Sequence, residues 1–505
     1  MNIDYDMSID YDMNYIINDD NIHAIVKLYI ENDPSCVPYG PISTWDVSRV
    51  TNMDSLFEDK QQFNEPLNSW DVSNVVSMKS LFKNCFMFNQ DISSWKTQSC
   101  KNMEEMFFCC SVFNKSINTQ QDICGNLCWD VSNVETMENM FHKANLFNKS
   151  LNNWNVSSCM NMRNMFYYCQ MFNQDISSWD VSNVIYMSKM FNHALKFNQD
   201  ISSWNVSKVQ SMAYMFFHAN NFNKKIDWDV MNVETMRGMF YGATNFNSHI
   251  VFHNIEKVKI MSYMFCGCWF FNKPINNWNV TNIESMESMF QNAKSFNQEL
   301  SLWNPENVES MSHMFFGALS FEKNIKMWNI DNVNDFTKMF TNCPIMELYN
   351  TNETPLYTFF TIDLDDTTIR DAVKLWINDE DEAIRKYGRI DDWDTSNVTN
   401  MTALFKNCSS FNEDITSWDV SNVEKMDDMF YGADIFSYKL DHWNMNNVKT
   451  KKNMMNPKPK PIIVNQNAHN EVHNNGMLIF TNKKNIKLQH IQRQIPKKPR
   501  NIVNL

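Results

Sequence analysis

Glycine is nearly absent from this chain, nine among 505 residues, and no Gly-rich loop able to cradle a phosphate occurs. Long apolar runs are missing too: nothing approaches the roughly 18 consecutive apolar residues of a membrane-spanning helix. The opening MNIDYDMSIDYDMN is acidic where a secretory signal would be basic and then apolar, so export by that route is not expected. The 13 cysteines are odd in number and lack the paired spacing of a disulfide framework, which suits a reducing compartment. Positive charge is scarce except at the end. The formal charge is −14, yet residues 449–505 hold 12 Lys and Arg against one acid, Glu471, which leaves −25 on the rest.

What is abundant is one phrase. FNQDISSWDVSNVIYMSKMF at 172–191 nearly recurs as FNEDITSWDVSNVEKMDDMF at 411–430. Anchored on tryptophan, the unit begins at 45, 70, 95, 129, 154, 179, 204, 228, 278, 303, 328, 393, 418 and 443, with His253 filling the slot after Trp228. Nearly every step is 25 residues. One residue is lost before Trp228, nine are gained before Trp129, and 65 separate Trp328 from Trp393, giving fifteen coils in blocks of twelve and three.

Counting Trp as slot 1, Val recurs at slots 3 and 6, Met at 9, Met or Leu at 12, Phe at 13 and 19, a small residue at 16, and Ile or Leu at 23. Slots 9 and 12 hold 25 of the 37 Met, and slots 13 and 19 hold 27 of the 37 Phe, so these letters read as core packing and not as a ligand surface. The three-and-four spacing of slots 6, 9, 12, 13 and 16 predicts one face of a helix of about three turns in each coil, with Ser at slot 4 as N-cap. Slots 23, 1 and 3, Ile-x-x-Trp-x-Val, predict a brief strand. One such unit cannot bury its apolar side alone, so the coils must stack. The expected fold class is an α/β solenoid: a right-handed stack of about 15 strand-turn-helix coils with a parallel sheet on the concave face.

Two lead-in segments match each other, NDDNIHAIVKLYIENDPSCVPYGPISTWDVS before the first block and LDDTTIRDAVKLWINDEDEAIRKYGRIDDWDTS before the second, and both read as caps for an open end. The expected organisation is an acidic N-terminal tail (1–21), a cap helix (22–44), a twelve-coil array (45–345), a connector with a second cap helix (346–392), a three-coil array (393–455), and a basic, Pro- and Lys-rich, partly disordered tail (456–505).

The FNQDISSWDVSNV unit with its MF pair closely resembles the repeat of BspA-like leucine-rich-repeat surface proteins, which are common in mycoplasmas and other bacteria and are found in giant viruses of amoebae. The AVKLWINDEDEAIRKYGRIDDWD segment resembles the lead-in that accompanies those repeats, and the resemblance spans residues 22 to about 455. Ile176, Trp179 and Val181 stand in the roles of the Leu-x-x-Leu-x-Leu core of leucine-rich repeats. The resemblance implies a leucine-rich-repeat-like binding or adhesive solenoid without enzymatic activity. High Asn with nine Gly fits an AT-rich genome, so a giant-virus protein, in host cytoplasm or virion, is expected.

The surface left by the packing carries the candidate site. Slot 2 is acidic or amide at Asp46, Asp71, Asp130, Asn155, Asp180, Asn205, Asp229, Asn279, Asp394 and Asp419, with Lys96 breaking the series. Two readings stand open: a hydrogen-bonding strip on the concave face for a protein or glycan partner, or side chains that cap the following turns. Asn at slot 5, as in Asn74, Asn133 and Asn183, is expected to bond backbone between coils. His253 reads as a smaller aromatic replacing a core Trp. Cys85, Cys110, Cys169, Cys268, Cys343 and Cys408 at slot 16, with Cys100 and Cys159 at slot 6, read as small buried hydrophobes. Cys124 and Cys128, with Cys109, are spare, but two thiols at suitable spacing fall short of zinc's four ligands, and no metal is expected. His469 and His473 in HNEVH have the wrong Glu position for a metalloprotease helix. The basic tail is a candidate for nucleic acid or an anionic surface by counterion release. An active site would break the repeat, and the breaks carry no catalytic set, so a non-enzymatic protein without cofactors is expected. The alternative is a structural, virion-associated spacer anchored by that tail.

Overall fold

A computed structural model describes residues 16–360 and 364–455. Its repeating unit is set by where each backbone N–H goes, since every buried donor must find an acceptor. In the coil of Trp70, the N–H groups of Met78, Ser80, Phe82 and Asn84 donate to the carbonyls of Asn102, Glu104, Met106 and Phe108 in the next coil, at 2.8–3.0 Å. The intervening N–H groups of Leu81, Lys83 and Cys85 donate within the coil, three residues back, to Met78, Ser80 and Phe82 at 2.9–3.2 Å. Odd slots therefore tie coil to coil, and even slots close tight turns. Ser80 and Asn84 take left-handed backbone, φ 56° and 60°, and slots 11 and 15 repeat this along the array, as at Lys189, His193, Asp428 and Asn407.

This corrects the expected helix. None of the described α-helices, α1 (Ile22–Ile30), α2 (Ile345–Leu348), α3 (Thr368–Asn378) and α4 (Glu380–Tyr387), covers slots 6–16 of a coil. A left-handed residue every four positions interrupts the helical i to i−4 ladder, and the freed donors reach the neighbouring coil instead. Parallel pairing also shifts. It runs at slot 8, through single bridges Asn52–Ser77–Asn102–Thr136 and onward, with slot 7 N–H groups such as Lys101 donating back to Val76 O at 2.8 Å. In most coils slots 24 and 25 form a turn, closed by Trp179 N–H to Ile176 O at 3.2 Å, where a strand was expected.

The strand does form where one residue is missing. Ile226 to Trp228 has no room for the turn, stays extended as β3 (Ile226–Asp229), and pairs in parallel with β4 (Ile250–His253). The register places Phe252 beside Trp228, and the residue that the next coil has in excess is absorbed at Asn254, φ 55°. His253 is thus not a core substitute: it is exposed, its Nε2 3.0 Å from Asp227 Oδ1, while the Phe252 ring packs 5.3 Å from Trp278.

The core is otherwise as the slots foretell. Val181, Met187, Met190, Phe191 and Phe172 are buried, and the slot-13 rings stack from coil to coil, with Phe166–Phe191 and Phe191–Phe216 each 5.7 Å apart. The slot-16 thiols serve as small buried packing groups except Cys408, which is half-buried where a buried one was expected; burial pushes Cys85 up to about 12, and its Sγ lies 3.0 Å from Phe57 O. Each buried indole donates to a carbonyl below it, as Trp179 Nε1 does to Leu151 O at 3.0 Å.

The two lead-in segments close their blocks in the same way. Trp45 and Trp393, with no preceding coil, donate Nε1 to Gly40 O and Gly388 O, both at 3.1 Å. Asp19 accepts the N–H groups of Thr51 and Asn52 at 2.8 and 3.0 Å, and Asp366 accepts those of Thr399 and Asn400 at 2.7 and 2.8 Å. Each carboxylate takes the place of the carbonyl that a preceding coil would supply, which leaves no open ladder edge there. The buried side chains fall into two clusters, Ile17 to Phe360 and Leu364 to Met454.

Trp278 departs from the rule: its Nε1 is buried without a partner among the described residues, because the path below it changed at 250–253. Trp179→Phe and Trp278→Phe create similar cavities at similarly buried positions, but the first loses a hydrogen bond, with Leu151 O keeping only the Trp154 N–H at 3.1 Å, whereas the second removes a buried donor that has no partner among the described residues. Trp179→Phe should therefore cost about 1–3 kcal/mol more, read as local opening by hydrogen exchange in the flanking coils.

Candidate binding surfaces

Slot 2 is exposed at Asp46, Asp71, Asn155, Asp180, Asn205, Asn279, Asp394 and Asp419 and half-buried at Asp130 and Asp229. Every one of these ten side chains has Oδ1 accepting the N–H two residues on, at 2.8–3.2 Å, as Asp180 does from Ser182 and Asn205 from Ser207. This is the Asx-turn geometry, and it uses an atom that Asp and Asn share. Hydrogen bonding by Ser182 also holds the Asp180 carboxyl below its usual range. The capping reading thus has its geometry, and that turn bond uses one side-chain oxygen in each case.

Lys96 breaks the slot-2 series for a local reason. The nine-residue insertion folds as a hairpin of β1 (Gln120–Gln121) and β2 (Leu127–Cys128), and its Asp122 lies 3.3 Å from Lys96 Nζ. Asp122 also accepts the N–H groups of Cys124 and Asn126, both at 2.8 Å, which fixes the turn. Cys124 is exposed, Cys128 buried, and among the described residues no group of three His, Cys, Asp or Glu is placed to hold a metal.

Slot 5 behaves as expected. Asn74, Asn133 and Asn183 donate Nδ2 to the carbonyls of Ser48, Gln98 and Ser157 in the coil before, at 2.7–2.9 Å. A second amide ladder was missed: at slot 20, Asn148, Asn173 and Asn198 each accept the next coil's slot-20 N–H at 2.9–3.0 Å. Its signal was in plain view as the Asn that follows nearly every slot-19 Phe.

One hollow lies along slots 5 and 7. A groove of about 1150 Å³ is lined by Glu234, Lys259, Glu284, Glu309 and Asn334 at slot 7 and by Lys257, Asn282, Asn307 and Asn332 at slot 5. Lys259 pairs with Glu284 at 2.7 Å, while Glu309 has no ion pair among the described residues. The same slots line a smaller groove of about 500 Å³ in the second block, from Asn397 and Thr399 to Asn447 and Lys449. Both grooves are polar, so a ligand there would be held by hydrogen bonds and charge.

Slots 14 and 15 carry a half-buried ribbon of rings that the repeat reading passed over. Phe108 stacks on His142 (4.3 Å), His142 on Tyr167 (4.5 Å), Tyr168 on His193 (4.0 Å) and Phe217 on Tyr241 (4.7 Å). The faces are spent on one another, so the ribbon stiffens the stack and does not offer a platform for a flat ligand. It halts at Gly242, where a Cβ would come within 2.3 Å of the His218 ring.

Sequence comparison places the repeat. The profile of a family described as "Mycoplasma protein of unknown function, DUF285" matches residues 35–124, 119–227, 226–318, 278–353 and 380–470. The chain belongs to this family. Its tandem matches and the stacked coils make it a repeat solenoid. No curated protein matches it. Among solved structures it is similar to a chain of a TLR13–ssRNA13 complex, with 12% identity over 64% of this chain and 53% of that one and a TM-score of 0.23. The family member thus spans about half the length of that structure.

Two outcomes follow for the surface residues. Asp180→Asn should cost less than Asp180→Ala, since Asn keeps the acceptor and loses only the charge, whereas Ala loses both at about 1 kcal/mol; denaturant midpoints check both. Burial, with Lys143 nearby, pushes His142 down to about 4; burial, with His218 nearby, does the same to His193. The neutral imidazoles are favoured by the fold, so their contribution is complete above the unfolded pKa of about 6.5 and is lost as pH falls toward 4. Melting temperatures from pH 7 to 4 should fall less steeply in His142→Phe and His193→Phe than in the parent.

Proposed function

We propose that this family member is a non-enzymatic binding protein that holds a macromolecular partner, protein or glycan, along the polar groove of slots 5 and 7. The observation that carries this is the division of labour among the slots. Apolar side chains go to the core, slot-2 oxygens cap turns and slot-20 amides tie coils, whereas the slot-7 side chains Glu234, Glu309 and Asn334 line a hollow shared by several coils. A groove walled by repeated amides and carboxylates suits a partner rich in donors and of extended shape. The slot-2 strip is the alternative surface, which the groove reading leaves out of the contact. The BspA-like surface-protein resemblance points the same way. Intracellular residence and a viral source remain part of this proposal.

A spacer role is the second reading, supported by the uninterrupted stacking of Phe rings through the first block. The tail at 456–505 that would anchor it lies outside the described residues, as do His469 and His473.

The test is a comparison of three proteins on arrays of defined peptides and oligosaccharides: the parent, Glu234→Lys/Glu284→Lys/Glu309→Lys, and Asp130→Asn/Asp180→Asn/Asp229→Asn. The groove triple should bind at least tenfold more weakly with unchanged circular dichroism, and the slot-2 triple should bind like the parent. Equal binding by the groove triple would remove the groove from consideration.

A further inference from the structure

The groove's chemistry can be read from coils that complete it with their own side chains. Slot-5 asparagines spend Nδ2 on the coil before, as Asn183 and Asn232 do on the carbonyls of Ser157 and Ser207, both at 2.7 Å, which leaves Oδ1 as a fixed acceptor. Where the next coil has lysine at slot 5, its ammonium takes that oxygen. Lys208 Nζ lies 2.6 Å from Asn183 Oδ1, and Lys257 Nζ lies 2.6 Å from Asn232 Oδ1. In the groove, Asn282, Asn307 and Asn332 make the same backward bond, to the carbonyls of Glu256, Thr281 and Glu306 at 2.6–2.8 Å. Asparagine follows the first two of them and the block ends after the third, so no lysine arrives, and their three Oδ1 atoms accept nothing among the described residues.

Slot 7 shows the same division. Glu135, Glu284 and Glu424 each pair with a slot-7 lysine of an adjoining coil, Lys101, Lys259 and Lys449, at 2.7–3.4 Å. Glu309 adjoins Glu284 and Asn334 and has no ion pair among the described residues. The coils of Trp278, Trp303 and Trp328 therefore hold a row of acceptors for which the rest of the chain supplies ammonium groups.

We propose, building on the groove reading above, that the partner is an extended protein segment rich in lysine, with its ammonium groups seated on Oδ1 of Asn282, Asn307 and Asn332 beside the Glu309 carboxylate. An ammonium carries three donors and no acceptor, which suits a surface whose amide donors are already spent. Sugar hydroxyls need donors as well as acceptors, and an acidic segment would meet four carboxylates, Glu234, Glu256, Glu284 and Glu309, against Lys257 and Lys259. Coils paired at about 4.8 Å spread the three oxygens over about 10 Å, which about three extended residues span, and the flexible lysine stem absorbs the difference in period.

The test measures, by fluorescence anisotropy on the full chain, a labelled peptide of alternating serine and lysine, the same peptide with every lysine acetylated, and a neutral oligosaccharide. The lysine peptide should bind, about tenfold more tightly than the acetylated one, and should weaken with added salt. Asn307→Lys gives Asn282 Oδ1 the ammonium that Asn183 and Asn232 already have, and should weaken peptide binding about tenfold with unchanged circular dichroism; Glu309→Gln should weaken it about threefold. Asn74→Lys makes the same exchange outside the groove and should bind like the parent. Equal binding of the two peptides, or equal binding by Asn307→Lys and Asn74→Lys, would overturn the proposal. A parent that ignores the lysine peptide but binds the oligosaccharide, and loses it in Glu234→Lys/Glu284→Lys/Glu309→Lys, would overturn the lysine assignment and leave the groove reading standing. Lysine-peptide binding that this triple retains would overturn both.

Discussion

The structure depends on one choice of partner by the backbone. Between slots 11 and 16 alternate N–H groups turn to the next coil and the rest turn back three residues, which satisfies the polar main chain without helix or sheet. That choice requires left-handed backbone at slots 11 and 15, and it brings every coil to the same height over its neighbour. The ring stacks, the indole bonds and the two amide ladders are all consequences of that constant offset.

The core was legible in the sequence because burial leaves a fixed periodic mark: Trp, Val, Met and Phe fall in the same slots whichever local conformation carries them. The helix was misread for the same reason. Apolar spacing of three and four reports which side chains face inward, and a chain of tight turns with inter-coil bonds produces that spacing as well as a helix does. What separates the two is the backbone, and its trace in the sequence is faint. Five of the nine glycines, Gly238, Gly242, Gly267, Gly317 and Gly432, stand at slots 11 and 15, with Asn or Ser at many of the others. The slot-2 side chains are exposed or half-buried, and each makes a turn bond through the oxygen common to Asp and Asn, a bond that their repetition alone did not disclose. The groove could not be seen because slot 7 varies in chemistry from coil to coil, and variation looks like noise to a search for repeats.

Variation is nonetheless where recognition can reside. A core that is identical in every coil cannot tell one partner from another, whereas slot 7 reads Thr51, Val76, Lys101, Glu135, Met160, Ile185 and onward, a different side chain at nearly every step on one invariant frame. The hairpin and α3 add two further non-repeating surfaces, both placed where they leave the frame undisturbed.

The cap carboxylates Asp19 and Asp366 show how modular that frame is. Each supplies with one side chain the acceptor that a preceding coil's carbonyl would give, as Gly40 O and Gly388 O do for the first indoles, which means that at these bonds a coil asks of its predecessor an acceptor at the right height. A unit of 25 residues can then be duplicated or lost in one genetic step, and the two neighbours brought together would find each other's bonds already in register. Length in such a chain is a quantity that selection can adjust in whole coils, without first having to solve the folding problem again.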